Sequence, residues 1–517
     1  MENQSLHQPS GIKSIWKTFA SETSFPALSG DIQTEIAIIG GGITGITTAQ
    51  LLKEAGFKVT VLEARKVGGG STGHSTGNLY AMIEQGFETI KDKYDLATVR
   101  AIAQGRKNAV DFIEANVDRF AITCDFRRQP WISYAATPGQ ESKLETEYQE
   151  ARACGLSASK LAPGDIPFTM VSGVRVENQA QFNPLRYVQQ LAMAIADEDC
   201  VIYENTPAVS INEEEINAVI ETDNGRVFAN YVIHATHTPK GLMVDFHSVL
   251  GPYREYGVAA RLASGQYPEG TFWGYYNVND RFSIRTYDHD GEQRVIVVGQ
   301  PHKVGTKEDN WQNITHIENF IREQFDVAEF THRWGAQNYK PADALPYIGY
   351  RSEGSRILLA TGFSSDGLTY GTLAAMVLRD ILIGTETTYT KLFDSTRHNP
   401  AKAAAKVIKE NISNAGEIIK DYIFFKDANL TDIPETEGKV IEVDGKKVAV
   451  YHESNGVVKA CSAICTHMGC VVHWNNAERT WDCPCHASRF DTDGSIIEGP
   501  ALTPLAQVDI LNVKEDF

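Results

Sequence analysis

Cysteine and histidine residues crowd together near the C-terminal end of this 517-residue sequence. The segment CTHMGC begins at Cys465 and contains His467, and the segment CPCH begins at Cys483 and ends at His486. Each segment can therefore offer one thiolate and one imidazole to a metal centre. Zinc is the main competitor, but zinc sites usually pair cysteine with cysteine on one loop. The mixed spacing favours a [2Fe-2S] cluster in which one iron takes thiolates and the other takes imidazoles.

The two segments also resemble a known family. CTHMGC and CPCHAS look like the two cluster boxes of Rieske proteins of the cytochrome bc type, and GPALTPL at 499–505 is similar to the proline loop of that family. The resemblance covers residues 427–517. It implies that Cys465 and Cys483 bind one iron of a Rieske cluster and that His467 and His486 bind the other.

Further residues of the boxes follow from the same resemblance. It implies a disulfide between Cys470 and Cys485, which lie just past one ligand in each box, whereas Cys461 matches no ligand position. Ser488 is retained, but Phe490 stands where many high-potential members carry a tyrosine that hydrogen-bonds a cysteine sulfur. Rieske potentials span roughly -150 to +300 mV, and loss of a donor to sulfur lowers them. We therefore expect a potential in the middle or lower part of that range.

A glycine-rich turn near the start of the sequence indicates a nucleotide site. From Glu35 the sequence reads as an apolar strand, a glycine turn, an amphipathic helix and a second strand that ends in Glu63. Gly40, Gly42 and Gly45 form the pattern G-x-G-x-x-G, which permits a tight turn, a close approach of the backbone to a pyrophosphate, and helix-to-strand packing. With Glu63 placed to hold a ribose hydroxyl, the segment predicts a dinucleotide site.

Other segments favour FAD over NAD. The loop GGGSTGHSTGN follows the second strand, and ATGFSSDGLTYGT points a helix N-terminus at an electron-rich group. Residues 35–397 resemble the D-amino-acid oxidase and glycine oxidase class of FAD-dependent amine oxidoreductases, including the segment RWGAQNYKPADALPYIG. The candidate FAD contacts beyond the glycine turn and Glu63 are Ser71, Thr72, His74, Gly362, Gly367, Leu368 and Thr369.

His74 raises a separate question. The loop GSTGHSTG is similar to the loop of dimethylglycine and sarcosine dehydrogenases whose histidine is joined covalently to the flavin, and His74 falls on that position. The alternative is a histidine that only packs beside the dimethylbenzene edge of the flavin. Both possibilities remain open at this point.

The substrate side is less clearly marked. The family resemblance implies oxidation of a C-N bond by hydride transfer to the flavin from a neutral amine. Amino-acid oxidases clamp the substrate carboxylate with an arginine before a proline, and here Lys340 precedes Pro341. Lysine cannot form a bidentate fork, which puts amino-acid specificity in doubt. Arg285, Tyr256 and Tyr276 are further candidates because strands in their region should face the flavin.

The order of segments predicts α/β architecture plus an all-β module. We expect an FAD-binding Rossmann-like domain, an antiparallel-sheet substrate domain and a small Rieske β domain. Residues 86–175 should be mostly helical. The predicted limits are 31–85, 176–245 and 341–400 for the FAD-binding domain, 86–175 and 246–340 for the substrate or cap domain, 401–426 for a helical linker, and 427–517 for the Rieske domain.

Composition excludes some partners. The net charge of -18 repels phosphate backbones and anionic bilayers, so nucleic acid is not an expected partner. The N-terminus has no basic region followed by an apolar one, and no apolar run is long enough to span a bilayer. We expect a cytoplasmic protein with a small-molecule amine or amino-acid substrate and an external electron acceptor.

Three functions follow from these features. The favoured one is an amine or amino-acid dehydrogenase whose FAD electrons leave singly through the Rieske cluster to an external acceptor. The second is a flavin oxidase that uses oxygen and carries a structural or redox-sensing Rieske domain. The third is an electron-transfer reductase for a separate oxygenase, which would need a site for NADH, although FAD occupies the dinucleotide fingerprint.

Overall fold

The computed structural model describes residues 12–241, 244–264, 268–277, 280–289, 291–307, 309–397 and 433–509. The predicted linker over 401–426 lies outside these residues. Among the helices that the structure describes, none is both long and apolar enough to cross a membrane.

The elements are numbered in chain order. The strands are β1 (Ile32–Ile39), β2 (Val59–Leu62), β3 (Asn78–Leu79), β4 (Arg127–Ala135), β5 (Ala158–Leu161), β6 (Ser172–Gln181), β7 (Cys200–Tyr203), β8 (Ala208–Glu213), β9 (Ala218–Thr222), β10 (Gly225–His234), β11 (Leu250–Leu262), β12 (Thr271–Tyr275), β13 (Arg281–His289), β14 (Glu292–Lys303), β15 (Val327–Pro341), β16 (Tyr347–Tyr350), β17 (Ile357–Thr361), β18 (Gly438–Val443), β19 (Lys446–His452), β20 (Val458–Ser462), β21 (His473–Asn475), β22 (Thr480–Asp482), β23 (Arg489–Phe490) and β24 (Ile496–Glu498). The helices are α1 (Trp16–Phe19), α2 (Ile43–Glu54), α3 (Phe87–Lys91), α4 (Leu96–Arg119), α5 (Glu141–Ala153), α6 (Pro184–Ile195), α7 (Val244–His247), α8 (Trp311–Gln324), α9 (Gly367–Leu382) and α10 (Thr388–Leu392).

The first large sheet carries the nucleotide-binding turn. Its strands run in the order β16-β17-β10-β1-β2-β7, with β9 beside β10 and β8 beside β9. Strands β17, β10, β1, β2 and β7 pair in parallel. The turn after β1 leads into α2, and the turn after β17 leads into α9. Because parallel strands end at the same edge, both helices begin at the edge where ligands bind in such sheets.

The second large sheet has the order β15-β11-β14-β13-β12-β4-β6-β3, with β5 beside β6. Its pairs are antiparallel except for β12 with β4. The prediction that residues 86–175 are mostly helical is wrong in part, because β4, β5 and the start of β6 come from this segment. The last five residues of β4 are all buried, so the strand lacks the alternation that would have revealed it.

The C-terminal region forms a small all-β domain. It consists of a sheet with the order β18-β19-β20 and a sheet with the order β21-β22-β23-β24. Val440, Trp481 and Phe490 belong to its buried core, together with the cysteines of both boxes. The predicted architecture, α/β with an added all-β module, is confirmed.

The strands of the first sheet all fall within 31–85, 176–245 and 341–400, the segments predicted for FAD binding. Two strands do not follow the predicted division into domains. Asn78–Leu79 and most of Ser172–Gln181 lie in the segments predicted for FAD binding, but both strands pair into the second sheet. The exact domain limits therefore stay a prediction.

Candidate functional site

A cavity of about 1300 Å³ is lined by residues of both large sheets and of the C-terminal domain. Residues of the glycine turn, the end of β2 and the start of α9 contribute to its wall. The second sheet contributes residues of β11, β12, β14 and β15. The cavity therefore extends from the predicted nucleotide site to the predicted substrate domain.

The glycine turn has no space for side chains at two of its positions. Gly40 has φ +111°, and a Cβ atom there would lie 2.4 Å from the carbonyl oxygen of Ala235. A Cβ atom on Gly45 would lie 1.9 Å from the carbonyl oxygen of Gly40. Gly42 lines the cavity and precedes the first residue of α2. The first and third glycines thus allow close packing, and the second leaves backbone exposed to the cavity.

Glu63 is held at the wall of the cavity by backbone groups. Its Oε2 accepts a hydrogen bond of 2.7 Å from the amide of Gly41, and its Oε1 accepts one of 2.9 Å from the amide of Arg65. The carboxylate therefore has a fixed position at the end of β2. A fixed acceptor at this point fits the ribose of a dinucleotide.

The loop after β2 also reaches the cavity. Ser71, Thr72 and His74 line it, and they form a short 3-10 helix. The Thr72 hydroxyl oxygen accepts a hydrogen bond of 3.0 Å from the amide of Ile43 at the start of α2. His74 Nδ1 lies 2.8 Å from the carbonyl oxygen of Gly70, and burial lowers the pKa of His74 to about 4. This histidine is therefore neutral at physiological pH, and its covalent attachment to FAD stays a prediction.

The start of α9 forms another part of the wall. Gly367, Leu368 and Thr369 line the cavity, as predicted from the glycine-rich segment. Gly362 does not line the cavity. It has φ +78° in the turn after β17, where an added Cβ atom would lie 3.2 Å from the Leu250 side chain. Two helix N-termini and a glycine cradle face one long cavity, and this arrangement fits the phosphates of FAD.

The two cluster boxes come together in the C-terminal domain. Cys465 and Cys483 are buried in the core of this domain, and each thiol shifts the pKa of the other. The rings of His467 and His486 lie 5.0 Å apart at an interplanar angle of 85°. The structure thus gathers the four predicted ligands, two sulfur and two imidazole side chains, around one site.

Unpaired ring nitrogens support a metal site at this point. His467 Nε2 and His486 Nδ1 are buried, and neither has a hydrogen-bond partner among the described residues. Burial also lowers the pKa of both histidines, to about 3 for His486. Buried polar atoms normally have partners, so the donor set fits a cluster bound through two thiolates and two neutral imidazoles.

The residues next to the ligands close the site. Cys470 and Cys485 form the disulfide that the family resemblance implied, and their sulfur atoms lie within 4.8 Å of the Cys483 sulfur. The Ser488 hydroxyl oxygen accepts a hydrogen bond of 3.0 Å from the amide of Ala501. Phe490 is fully buried in the domain core.

The histidine side of the cluster site faces the flavin-binding part of the chain. His247 at the end of α7 lies with its ring 4.6 Å from the His467 ring and 5.7 Å from the His486 ring. Its Nε2 lies 3.1 Å from the carbonyl oxygen of Pro239. The fold thus covers the imidazole edge of the cluster with a residue from outside the Rieske domain.

A series of contacts joins this edge to the cavity. Ser71 and His237 both line the cavity, and Ser71 Oγ lies 2.8 Å from His237 Nδ1. The His237 ring meets the Tyr339 ring edge to face with centroids 4.8 Å apart. The Tyr339 hydroxyl donates to the carbonyl oxygen of His486 at 3.4 Å. We name Ser71, His237, Tyr339 and His486 the contact chain.

A buried ion network fixes the two parts together. Arg254 of β11 forms a two-pronged ion pair with Glu478 of the C-terminal domain, and both side chains are nearly inaccessible to solvent. Arg489 lies 3.2 Å from Glu478 and 3.0 Å from Asp482. Burial alone would raise the pKa of Glu478, but Arg254 and Arg489 lower it below its ordinary value. The buried guanidinium group of Arg254 therefore has its carboxylate partner, Glu478, only while the two parts are in contact.

Lys340 does not line the cavity. Its ammonium group lies 3.7 Å from the Glu84 carboxylate and 5.0 Å from the centre of the Tyr253 ring. Burial lowers the pKa of Lys340, but Glu84 and Glu255 outweigh this effect and raise it. The side chain at the position of the carboxylate clamp is thus engaged with an internal carboxylate.

The other substrate candidates are also turned away from the cavity. Arg285 donates to the carbonyl oxygens of Thr76 and Gly77 at 2.9 Å. The Tyr256 hydroxyl pairs with the Asn475 amide, and the Tyr276 hydroxyl lies 2.6 Å from that of Tyr134. The structure does not bring Arg285, Tyr256 or Tyr276 to the cavity.

Several residues at the site were not recognised from the sequence. Glu255 is the neighbour of the candidate Tyr256, and the alternation of a strand places the two on opposite faces. His237 belongs to none of the motifs described above. Tyr339 and His247 carry no motif. Only the register of β11 and the docking of the C-terminal domain reveal these residues.

Comparison with known proteins agrees with the geometry. The model of the DAO family, FAD dependent oxidoreductase, matches residues 35–381, and that of the Rieske [2Fe-2S] domain matches residues 424–509. The chain is 31% identical over 507 residues to the Rieske 2Fe-2S iron-sulfur protein YhfW of Bacillus subtilis, which covers 96% of this chain and 98% of that protein.

Two further similarities concern the flavin-binding part. The chain is 27% identical over 227 residues to gamma-glutamylputrescine oxidoreductase of Escherichia coli, over 43% of this chain and 53% of that protein. Its fold is similar to that of glycine oxidase from Geobacillus kaustophilus, with a TM-score of 0.57, 20% identity, and coverage of 71% of this chain and 99% of that chain.

The predictions of FAD and of a [2Fe-2S] cluster are confirmed by the two family matches. The glycine turn, Glu63 and the start of α9 stay the predicted FAD contacts, and the residues of the two boxes stay the predicted cluster ligands. The chain belongs to the DAO family of FAD-dependent oxidoreductases and carries a Rieske [2Fe-2S] domain after its flavin-binding part.

Proposed function

We propose that the protein is a dehydrogenase that oxidises a C-N bond of an amine or amino acid and passes the electrons through the Rieske cluster to an external acceptor. Bound FAD supplies a hydride acceptor, and the bound cluster supplies one-electron transfer. The residues of the chain bind FAD and the cluster at two separate sites. Packed side chains fill the space between these sites and exclude water from it.

The contact chain is the observation that carries the proposal. Ser71 and His237 belong to the wall of the FAD cavity, and Tyr339 lies against the backbone of His486. Tyr339 is 2% exposed, so this path contains packed protein and not solvent. A structural or sensing Rieske domain would not need its ligand loop to touch the wall of the flavin site.

The exposed part of the first box supports transfer to an external acceptor. His467 lies against His247, but the neighbouring Met468 is 46% exposed. Thr466 is also exposed. We propose that electrons enter on the covered histidine side and leave where the box meets solvent.

A relative supports the substrate class. Gamma-glutamylputrescine oxidoreductase, which matches part of the flavin-binding region, bears the name of an amine conjugate. We therefore include amines as well as amino acids among the candidate substrates.

The test is anaerobic mixing of the holoprotein with a panel of primary, secondary and tertiary amines and amino acids. Flavin absorbance and the low-temperature EPR signal of the reduced cluster are recorded together. We expect flavin bleaching followed by the cluster signal. Bleached flavin with an oxidised cluster, and rapid hydrogen peroxide formation in air, would indicate an oxidase. Reduction by NADH but by no member of the panel would indicate a reductase.

Two variants test the route itself. Tyr339→Leu removes the ring that joins His237 to the ligand loop, so we expect slower cluster reduction with unchanged flavin bleaching. Tyr350→Leu is the control, because Tyr350 lies on β16 away from the contact chain. Equal rates of cluster reduction in both variants would contradict the proposed route.

Covalent attachment through His74 is tested separately by acid precipitation. A yellow pellet in the wild type and a colourless pellet in His74→Ala would establish the bond. A colourless wild-type pellet would show that His74 only packs against the flavin.

A further inference from the structure

A carboxylate stands on the wall of the cavity in the substrate domain. Glu255 lies on β11 and lines the cavity. Its Oε1 accepts hydrogen bonds of 2.9 Å from the Ser365 hydroxyl and 3.1 Å from the Asn338 amide. Within the described part of the chain, its other oxygen has no hydrogen-bond partner. One oxygen is therefore fixed, and the second is free to receive a donor from the cavity.

Glu255 differs from the other charged residue that the second sheet presents to the cavity. That residue is Arg254, and its guanidinium group is paired with Glu478. Burial raises the pKa of Glu255, and the nearby Lys340 opposes this effect only in part. Lys340 does not line the cavity, and its closest carboxylate is Glu84. Among the described residues of the second sheet, the cavity wall thus carries the carboxylate of Glu255 and no cation other than the paired Arg254.

Aromatic and apolar side chains surround the remaining wall. Tyr80, Trp273 and Val298 also line the cavity, and Val298 pairs with Gly257, which lies two residues beyond Glu255 on β11. The guanidinium group of Arg281 stacks on Trp273 with 4.3 Å to the ring centroid, which holds the indole in place. A carboxylate among aromatic faces is chemistry that recognises an organic cation.

We infer that Glu255 binds the ammonium group of the substrate and accepts a proton from it, which leaves the neutral amine that hydride transfer requires. We also infer that this substrate is an amine without a carboxylate on the oxidised carbon. That the bound amine is also oxidised rests on the proposed function. The binding role of Glu255 does not depend on that statement. A substrate carboxylate at this wall would meet Glu255 with like charge, and the described residues of the second sheet present no unpaired cation to it.

The experiment compares each amine with the amino acid that contains it. Putrescine is paired with ornithine, and butylamine is paired with norvaline, so that each pair differs by one carboxylate. Binding to the FAD-loaded protein is measured by the change in flavin absorbance, and reduction is measured by anaerobic bleaching. We expect each amine to bind at least tenfold more tightly than its amino acid.

Glu255→Gln is the decisive variant because it keeps the shape and hydrogen-bonding capacity of the side chain but removes the charge. We expect it to weaken amine binding at least tenfold at unchanged FAD content. Glu329→Gln is the matched control, since Glu329 lies on the same sheet, is 57% exposed and pairs with Arg261 at the protein surface. It should bind amines like the wild type.

The outcomes separate the two proposals. Amine binding that depends on Glu255 without flavin bleaching would support this inference and contradict the proposed dehydrogenase. Amine binding that is equal in Glu255→Gln and Glu329→Gln would overturn the inference, and so would tighter binding of the amino acids. Absence of any absorbance change with putrescine and butylamine would overturn it as well.

Discussion

The cluster site and the substrate side of the cavity are built in opposite ways. The four predicted cluster ligands lie between Cys465 and His486 on two turns of one small domain. The substrate side collects Glu255, Trp273 and Val298 from three different strands of the second sheet. Loss of one ligand abolishes binding of the cluster. A substitution in the cavity wall, whose residues come from several strands, removes only one contact with the substrate. Perturbations should therefore be all-or-none at the cluster and graded at the cavity.

The largest effect is expected at a cluster ligand. Cys483→Ser removes one of two thiolates on an iron, so we expect iron content and the EPR signal to fall to background. FAD content should be unchanged, because the flavin site uses other segments. Cys461→Ser is the control: this buried thiol lies in the same domain core but outside the ligand set. Loss of the cluster in both variants would show that the domain, and not the ligand, had been damaged.

The next effect concerns the interface between the two regions. Arg254→Met leaves Glu478 buried against Arg489 alone, and loss of one partner of a buried ion pair costs about 3–5 kcal/mol. The free energy of unfolding, measured by denaturant titration of the holoprotein, should fall by that order. The exposed pair of Arg261 with Glu329 is the control, and Arg261→Met should cost less than about 1 kcal/mol. Similar losses in the two variants would mean that the network does not hold the interface.

A smaller effect should appear on acidification. Burial alone would raise the pKa of Glu498, but the hydrogen bond with His237 and the nearby Arg489 and Arg254 lower it to about 2. An unfolded glutamate has a pKa of about 4.3. The folded pKa is the lower one, so Glu498 stabilises the protein above pH about 4.3, and this contribution is lost as the pH falls towards 2. The free energy of unfolding of Glu498→Gln should depend less steeply on pH over this interval than that of the wild type. Parallel pH profiles would contradict this assignment.

The smallest effect is expected at the domain core beside the cluster. Phe490→Tyr adds a hydroxyl group at a fully buried position that many Rieske proteins fill with tyrosine. A hydrogen bond to a cysteine sulfur should raise the midpoint potential within the range of roughly -150 to +300 mV. Redox titration followed by EPR measures this change. An unchanged midpoint would show that the hydroxyl does not reach the sulfur.

The two regions also differ in how far the sequence predicts them. Spacing alone predicts the role of Cys465, His467, Cys483 and His486, because short turns bring these residues together independently of the rest of the chain. Gly40 similarly reports a local requirement, a positive φ angle with no space for a side chain. Such signals are local, so they can be recognised in the sequence without knowledge of the tertiary fold.

The substrate side gave no such signal. Tyr256 was expected to face the flavin, but the register of β11 turns Glu255 to the cavity, and register depends on the pairing with β14 and β15. β4 was missed because both of its faces are buried where it joins the sheet. His247 and Tyr339 become informative only when the Rieske domain is docked against them.

The covered histidine edge has a kinetic consequence. Because His247 and Tyr339 already touch the ligand loops, no domain has to travel between a loading position and an unloading position. Transfer from flavin to cluster should therefore be first order within one molecule and independent of protein concentration. It should also be insensitive to glycerol or sucrose, whereas the rate of a swinging domain would fall as solvent viscosity rises.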